Sequence, residues 1–301
     1  MNTGSVVIIS SKAGRLGNRL FQSAHFMGNA ISKGYRLLNP SLGEYASFFE
    51  GSSRDPLCEF PQSERNVDPE FADQCRDFIY GGAHLLGLVA SKGIVPGVRG
   101  IDIRRFDEAD EGDVDLNGAV FGKLIESVKL TLPMGWKFSD HAGMQRHRDQ
   151  IIRYFTPVHS VRNQVEIAMK LAREIGGFLI GVHIRQEDYR YWKGGVHYYE
   201  TDRYSHWMSQ CAEIFSDRKP VFMVCSSDEQ NPEDFRGLNV IYAPGTAVGD
   251  LHALSLCDRI MGPPSTFSMW ASYAGNTPLC MLQTHNQSVN AEDFRLHFGA
   301  V

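Results

Sequence analysis

The sequence predicts an α/β protein built on doubly wound, largely parallel sheets. Three observations carry that expectation. Short runs of β-branched and apolar residues, such as Val6 to Ser10, Phe178 to Ile184 and Val221 to Cys225, alternate with longer segments of helical apolar spacing. The runs are apolar on both faces, as strands are when helices cover a parallel sheet from both sides. Neither an internal repeat nor a low-complexity tract interrupts the alternation. At 301 residues, the length favours two domains of about 150, placed at 1–155 and 156–301.

The first run, Val6 to Ser10, leads through Ser11, Lys12, Ala13 and Gly14 to apolar residues at Leu16, Leu20, Ala24, Met27 and Ile31. That order reads strand, glycine loop, helix, with Gly34 closing the helix. From about 40 to 115 the signal weakens, and only two short helices are expected, near Pro69 to Gly81 and Val120 to Leu130. The stretch Asp107 to Asp115 carries six carboxylates in nine residues, which reads as a solvated loop rather than a metal site. The second half is clearer. Val161, Val165, Ala168, Ala172 and Ile175 follow helical spacing, and Gly176 and Gly177 stop that helix before the strand Phe178 to Ile184. A helix from Asp202 to Phe215, with Thr201 as N-cap, precedes the strand Val221 to Cys225. There follow a strand Val240 to Ala243, a helix Asp250 to Leu256, a strand Arg259 to Met261, a helix Thr266 to Tyr273 and a strand Leu279 to Leu282.

Composition narrows the function classes. With 43% hydrophobic residues and a net charge of −5, the chain is an ordinary globular sequence with no electrostatic reason to seek nucleic acid or an anionic membrane. No apolar run approaches the roughly 20 residues of a membrane span, and no basic residue precedes Lys12 as in a secretory leader. The expected compartment is the cytoplasm. The six cysteines are dispersed without a C-x-x-C pair and read as free thiols.

A doubly wound sheet binds its ligand outside the carboxyl ends of its strands, which directs attention to three loops. His183, Arg185, Gln186, Glu187, Asp188 and Tyr189 follow the first strand of the second half. Ser226, Ser227, Asp228 and Glu229 follow the next, and Gly262 to Ser265 lead into a helix opened by Thr266, Phe267 and Ser268. The N-terminus of that helix suits a phosphate, Arg185 suits a charge-assisted contact to a diphosphate, and Asp228 can accept hydrogen bonds from a ribose or base. Taken singly, His183 also fits a satisfied core histidine, and Asp188 a turn cap; their joint position points to a nucleotide site. Gly14, Gly17 and Asn18 form a second strand-to-helix turn where backbone can approach a ligand. Its spacing is not the G-x-G-x-x-G of a nicotinamide site.

These segments resemble those of the α-1,2-fucosyltransferase family, of glycosyltransferase family 11 type. Gly14-Arg15-Leu16-Gly17-Asn18-Arg19-Leu20-Phe21-Gln22 resembles its glycine-rich N-terminal motif, and His183-Ile184-Arg185-Gln186-Glu187-Asp188-Tyr189 its H-x-R-R-x-D-Y motif. Phe222 to Asp228 resembles F-x-x-x-S-x-D, while Asp250 to Ser255 and Ser265 to Ala271 resemble the D-L-x-x-x-S and S-S-F-S-W-W-A segments. Counting the last two stretches as one C-terminal segment, the four motifs stand in the family's order across residues 14 to 275.

The resemblance implies a GT-B architecture of two facing Rossmann-like domains, the N-terminal one on the acceptor side and the C-terminal one binding GDP-fucose. It implies an inverting, metal-independent transfer of fucose to a glycan hydroxyl with no cofactor, in a chain associated at most peripherally with a glycan-assembly pathway. Arg185 would hold the diphosphate and stabilise departing GDP. His183, Ser227 and Asp228 would line the nucleoside side, and Ser265, Thr266, Phe267 and Ser268 would meet the phosphates and base. Gly17 and Asn18 would reach towards the donor from the other domain, and Asp188 would orient Arg185. Glu44, Glu187 and Asp188 are candidate proton acceptors, and Tyr189, Tyr191 and Trp192 either stack on sugar or simply pack. One departure stands out: the family's second arginine is Gln186 here, which would still bind the donor by hydrogen-bonding a phosphate but cannot neutralise it, so the charge is missing unless Arg15, Arg19, Arg190 or Lys193 supplies it. Two rivals remain, a transferase of another GDP-sugar and a non-catalytic binding relative.

Overall fold

The computed structural model describes residues 4–102 and 114–297, and these divide into two compact units, one running to Val158 and the other beginning at His159. Of the acidic stretch, residues 107–113 lie outside the described ones. Asp115 ends a two-residue strand and accepts a hydrogen bond from the Asn117 backbone at 2.8 Å.

The first unit is built on a five-stranded sheet. In chain order its elements are β1 (Val6–Ile8), α1 (Leu16–Lys33), β2 (Arg36–Leu38), β3 (Glu59–Phe60), α2 (Pro69–Ala90), β4 (Val98–Asp102), β5 (Val114–Asp115), α3 (Ala119–Ser127), β6 (Leu130–Met134), β7 (Phe138–Ser139), α4 (His141–Arg146) and α5 (Arg148–Tyr154). The strand order is β3-β2-β1-β6-β4, parallel throughout except for β3, while β5 and β7 pair separately. Helix α1 is buried over most of its length and ends on Gly34 in the left-handed conformation.

Two expectations for this unit fail in instructive ways. Helix α2 continues through Gly81 and Gly82 to Ala90, because Ala83, Gly87 and Ala90 pack closely on the sheet. A Cβ on Gly100 of β4 would come within 2.4 Å of the Gly87 carbonyl, so helix and strand approach as only small residues allow. That packing overrides the local cost of glycine. Helix α3 stops at Ser127, and Leu130 opens β6, a strand hidden in sequence because it follows the helix after two residues.

The second unit matches the expected alternation closely. Its elements are α6 (His159–Ile175), β8 (Phe178–Ile184), α7 (Thr201–Ile214), β9 (Pro220–Ser226), β10 (Val240–Tyr242), α8 (Ala247–Ser255), β11 (Arg259–Gly262), α9 (Thr266–Gly275) and β12 (Leu279–Met281). The all-parallel order β10-β9-β8-β11-β12 is that of a doubly wound half, with its reversal of winding between β8 and β11. Strand β8 is buried at every residue, and its side chains meet Tyr199, Tyr204, Trp207 and Met208 in the main core. Thr201 is not the N-cap of α7: Glu200 is, and Thr201 is the first helical residue. Helix α8 begins before Asp250, capped by Thr246, whose hydroxyl accepts from the Gly249 backbone. All six cysteines are free thiols, and Cys75 alone is not fully buried. Among the described residues no helix is long and apolar enough to cross a membrane.

Candidate functional site

The winding reverses between β8 and β11, and the loops expected from sequence meet at the carboxyl ends of the strands there. His183 is the last but one residue of β8. Its ring lies 4.8 Å from that of Phe267 on α9, its Nδ1 is buried without a hydrogen-bond partner, and burial, seconded by the Arg185 charge, pulls its pKa down to about 3. The ring is therefore neutral near pH 7. Gly262, at the end of β11, leaves His183 its place, since a Cβ there would come within 2.9 Å of the His183 Cβ.

Arg185 emerges just past β8. Its Nη2 pairs with Asp188 Oδ1 at 2.8 Å, its guanidinium lies 5.5 Å from the centre of the Tyr189 ring, and its backbone N–H donates to the Tyr204 hydroxyl at 3.3 Å. The buried Nε has no hydrogen-bond partner in the protein. The Arg185 guanidinium is thus fixed on one edge by Asp188 and lies beside the Tyr189 ring at the carboxyl end of β8. The Tyr189 hydroxyl donates to the Pro264 carbonyl at 2.5 Å, which ties the Arg185 loop to the turn before α9. Tyr189 is thus a buried packing residue, its ring stacked 4.9 Å from that of Trp192, whereas Tyr191 is exposed.

At the start of α9, Ser265 is the N-cap, its hydroxyl accepting from the Phe267 backbone at 3.2 Å. Thr266 and Phe267 are partly exposed at this helix end, where the macrodipole favours an anion. Ser268 does not join them. It is fully buried and its hydroxyl donates to the Ser265 carbonyl, so its place is inside the helix–sheet packing. Asp228, after β9, accepts from the Glu187 backbone at 3.1 Å and so staples the loops after β8 and β9, with Ser227 exposed beside it.

Gln186 departs most from its expected role. Its side chain turns inward, Nε2 donating to the Tyr199 carbonyl at 3.0 Å and to Thr201 Oγ1 at 3.3 Å, while Oε1 accepts from Gln230 Nε2 at 3.1 Å. The Thr201 hydroxyl donates to Gln230 Oε1 at 3.0 Å, closing a ring, and Gln230 also reaches Ser226 Oγ and the Asp228 carbonyl. The Gln186 side chain is therefore a buried brace of three loops. Gln230 carries no signal in the sequence, where it is a lone glutamine a few residues after a strand.

Gly17 and Asn18 belong to the first unit, on the opening turn of α1, Gly17 buried and Asn18 partly exposed. Gly14 has φ of 54°, and a Cβ there would sit 2.5 Å from Asn18 Nδ2. That left-handed backbone and the closeness of Asn18 require glycine at this position. Arg19 is not available as a substitute charge: it is buried and binds the Gly14 and Leu42 carbonyls at 3.1 and 3.2 Å and Glu44 Oε2 at 2.9 Å. Burial works against the Glu44 carboxylate, but Arg19, with Lys12 at 3.5 Å, holds it below its ordinary value. Arg190 is engaged with Tyr198, and Lys193 lies over Trp192.

No family model matches the chain, and no curated protein matches it in sequence. Solved structures do match its fold. A point mutant of Arabidopsis thaliana FUT1 in complex with GDP is 14% identical, with a TM-score of 0.61 over 96% of this chain and 73% of that one. NodZ α-1,6-fucosyltransferase soaked with GDP-fucose is 16% identical, with a TM-score of 0.55 over 95% and 97%. POFUT1 in complex with GDP is 13% identical, with a TM-score of 0.54 over 96% and 97%. The chain thus has the GT-B-type fold of these fucosyltransferase structures.

Proposed function

We propose that this protein is a glycosyltransferase that moves fucose from GDP-fucose to a hydroxyl of a glycan acceptor. One observation carries the proposal: Arg185, paired with Asp188, is tied through Tyr189 to the turn before α9 at the winding reversal of the sheet. The shared fold of structures solved with GDP or GDP-fucose supports it.

The second unit holds the donor and the first serves the acceptor. Direct displacement at the anomeric carbon by the acceptor hydroxyl forms the new glycosidic bond as the bond to GDP breaks, inverts that centre, and leaves the hydroxyl proton to a general base. Negative charge then grows on the diphosphate, where the Arg185 guanidinium and the positive end of α9 act on it. Both are in place before reaction, Arg185 through Asp188, and α9 through its Ser265 cap. Neutral His183 and Phe267 give the nucleoside a ring surface that adds no charge. Two of the carboxylates weighed as proton acceptors are committed to cations, Glu44 to Arg19 and Lys12, and Asp188 to Arg185, and they act by positioning. The transfer runs without metal, and the motifs favour an α-1,2 linkage.

Thermal shift with GDP, GDP-fucose, GDP-mannose and UDP-sugars tests the donor site. GDP and GDP-fucose should stabilise the native state, by about 2.7 kcal/mol at a hundredfold excess over Kd, and Arg185→Ala should abolish the response. A protein indifferent to guanine nucleotides overturns the proposal. Transfer assays with EDTA and linkage analysis of the product then separate a fucosyltransferase from a binding relative, and α-1,2 from other linkages.

A further inference from the structure

Helix α2 buries one face, through Ala72, Arg76, Ala83, Gly87 and Ala90, and presents the opposite one to solvent. On that outer face Phe71, Phe78 and Leu85 recur every seven residues and are 56%, 85% and 64% exposed. Cys75, Gly82 and Val89 stand four residues after each, completing the alternating three-and-four spacing of a coiled-coil seam. Surface helices do not need such a seam, and these side chains expose on the order of 500 Å² of apolar surface, at the upper end of what a monomer leaves uncovered.

We infer that the α2 seam is the interface of a two-fold symmetric dimer, the two copies of the helix packing antiparallel about the level of Tyr80. A two-fold axis there pairs residue i with residue 160 − i, and every seam position then finds a suitable counterpart. Phe71 meets Val89, Cys75 meets Leu85, and Phe78, the most exposed of them, meets Gly82, which has no side chain and nothing within 4 Å of where a Cβ would stand. The most exposed knob thus faces the seam position that has no side chain. Asp68, the N-cap of α2, meets exposed Lys92 just past its C-terminus, so the helix ends pair opposite charges as well as opposite dipoles.

Two copies bring together about 1,000 Å² of apolar surface alone, the scale of a specific interface. The acidic residues of the helix, Glu70, Asp73 and Asp77, favour this occupant over an anionic membrane, which selects basic helices. Asp77 is offset by Lys12 at 3.8 Å, which lowers repulsion near the axis.

Sedimentation equilibrium of the full chain tests the inference, together with cross-linking through native Cys75. The wild type should weigh as a dimer. Phe78→Asp, at a position outside the core, should fold with an unchanged melting temperature at monomer concentrations and weaken the dimer by at least about thirtyfold. Mild oxidation of Leu85→Cys should give a disulfide-linked dimer through Cys75 of the partner copy, prevented by Cys75→Ser, whereas Val89→Cys, whose counterpart is Phe71, should not cross-link. A wild-type protein that stays monomeric at tens of micromolar overturns the inference, as does a dimer indifferent to Phe78→Asp. So does a monomer that floats with phosphatidylglycerol vesicles and loses that association with Phe78→Asp.

Discussion

Replacing Gln186 distinguishes a structural brace from a phosphate ligand. Gln186→Ala removes two donated hydrogen bonds and one accepted, to the Tyr199 carbonyl, Thr201 and Gln230. At about 1 kcal/mol for each neutral bond, with the buried Tyr199 carbonyl left short of a donor, the loss should be about 2–4 kcal/mol. Gln230 retains Ser226 and the Asp228 carbonyl, which keeps the loss from spreading through the whole ring. Gln186→Arg is the sharper variant. It introduces the cation missing from the H-x-R-R motif, yet into a buried ring whose members Gln230 and Thr201 carry no charge to meet it. It should therefore destabilise at least as much as alanine, with no gain in GDP affinity. Urea unfolding gives the stability, with an unchanged m-value as the check that the denatured state is the same, and calorimetric titration with GDP gives the affinity. A Gln186→Arg protein as stable as wild type that binds GDP more tightly would refute the brace and return position 186 to the phosphate.

Three further outcomes follow from the packing and the titrations. Burial pushes the Asp250 carboxyl up to about 6, against the backbone hydrogen bonds it accepts from Gly245 and Thr246. A folded value above the unfolded one of about 3.9 means that its stabilisation is complete below about pH 4 and is lost as pH rises through 6. Measured against Asp250→Asn, wild type should lose about 1.4 kcal/mol per pH unit across that window, read from urea midpoints at about pH 4, 5 and 6; a flat difference would contradict it. His183 runs the other way. Held at about 3 by burial and Arg185, below an unfolded value of about 6.5, it contributes stability that is present above that value and lost as pH falls towards 3, so the difference from His183→Asn should slope oppositely. Gly262→Ala sets a Cβ 3.0 Å from the His183 carbonyl oxygen, backbone that cannot swing aside, and should cost about 1–3 kcal/mol in thermal unfolding.

Legibility in the sequence followed the range of the interactions involved. The strand, glycine loop and helix at the N-terminus and the alternation after His159 were readable because apolar period and turn residues act within a few positions. The three loops at the ends of β8, β9 and β11 could be named for the same reason. The stretch from 40 to 115 was opaque because its elements rely on distant partners: β3 has two residues and pairs with β2, and α2 survives two adjacent glycines only through its packing on β4 and β6.

Roles within the site divide in the same way. Sequence alone determined the α/β class, the order of elements in the second unit and the polar composition of its strand ends, because each is written in local spacing. Tertiary structure alone decided that β6 inserts between β1 and β4, that Ser268 is buried, that Arg19 is engaged by Glu44, and that Gln186 braces loops with Gln230. The direction of a polar side chain depends on which donors and acceptors the rest of the fold brings within about 3 Å, and residues 13 and 44 positions apart in the chain, such as Tyr199 and Gln230 from Gln186, meet only when the sheet is assembled.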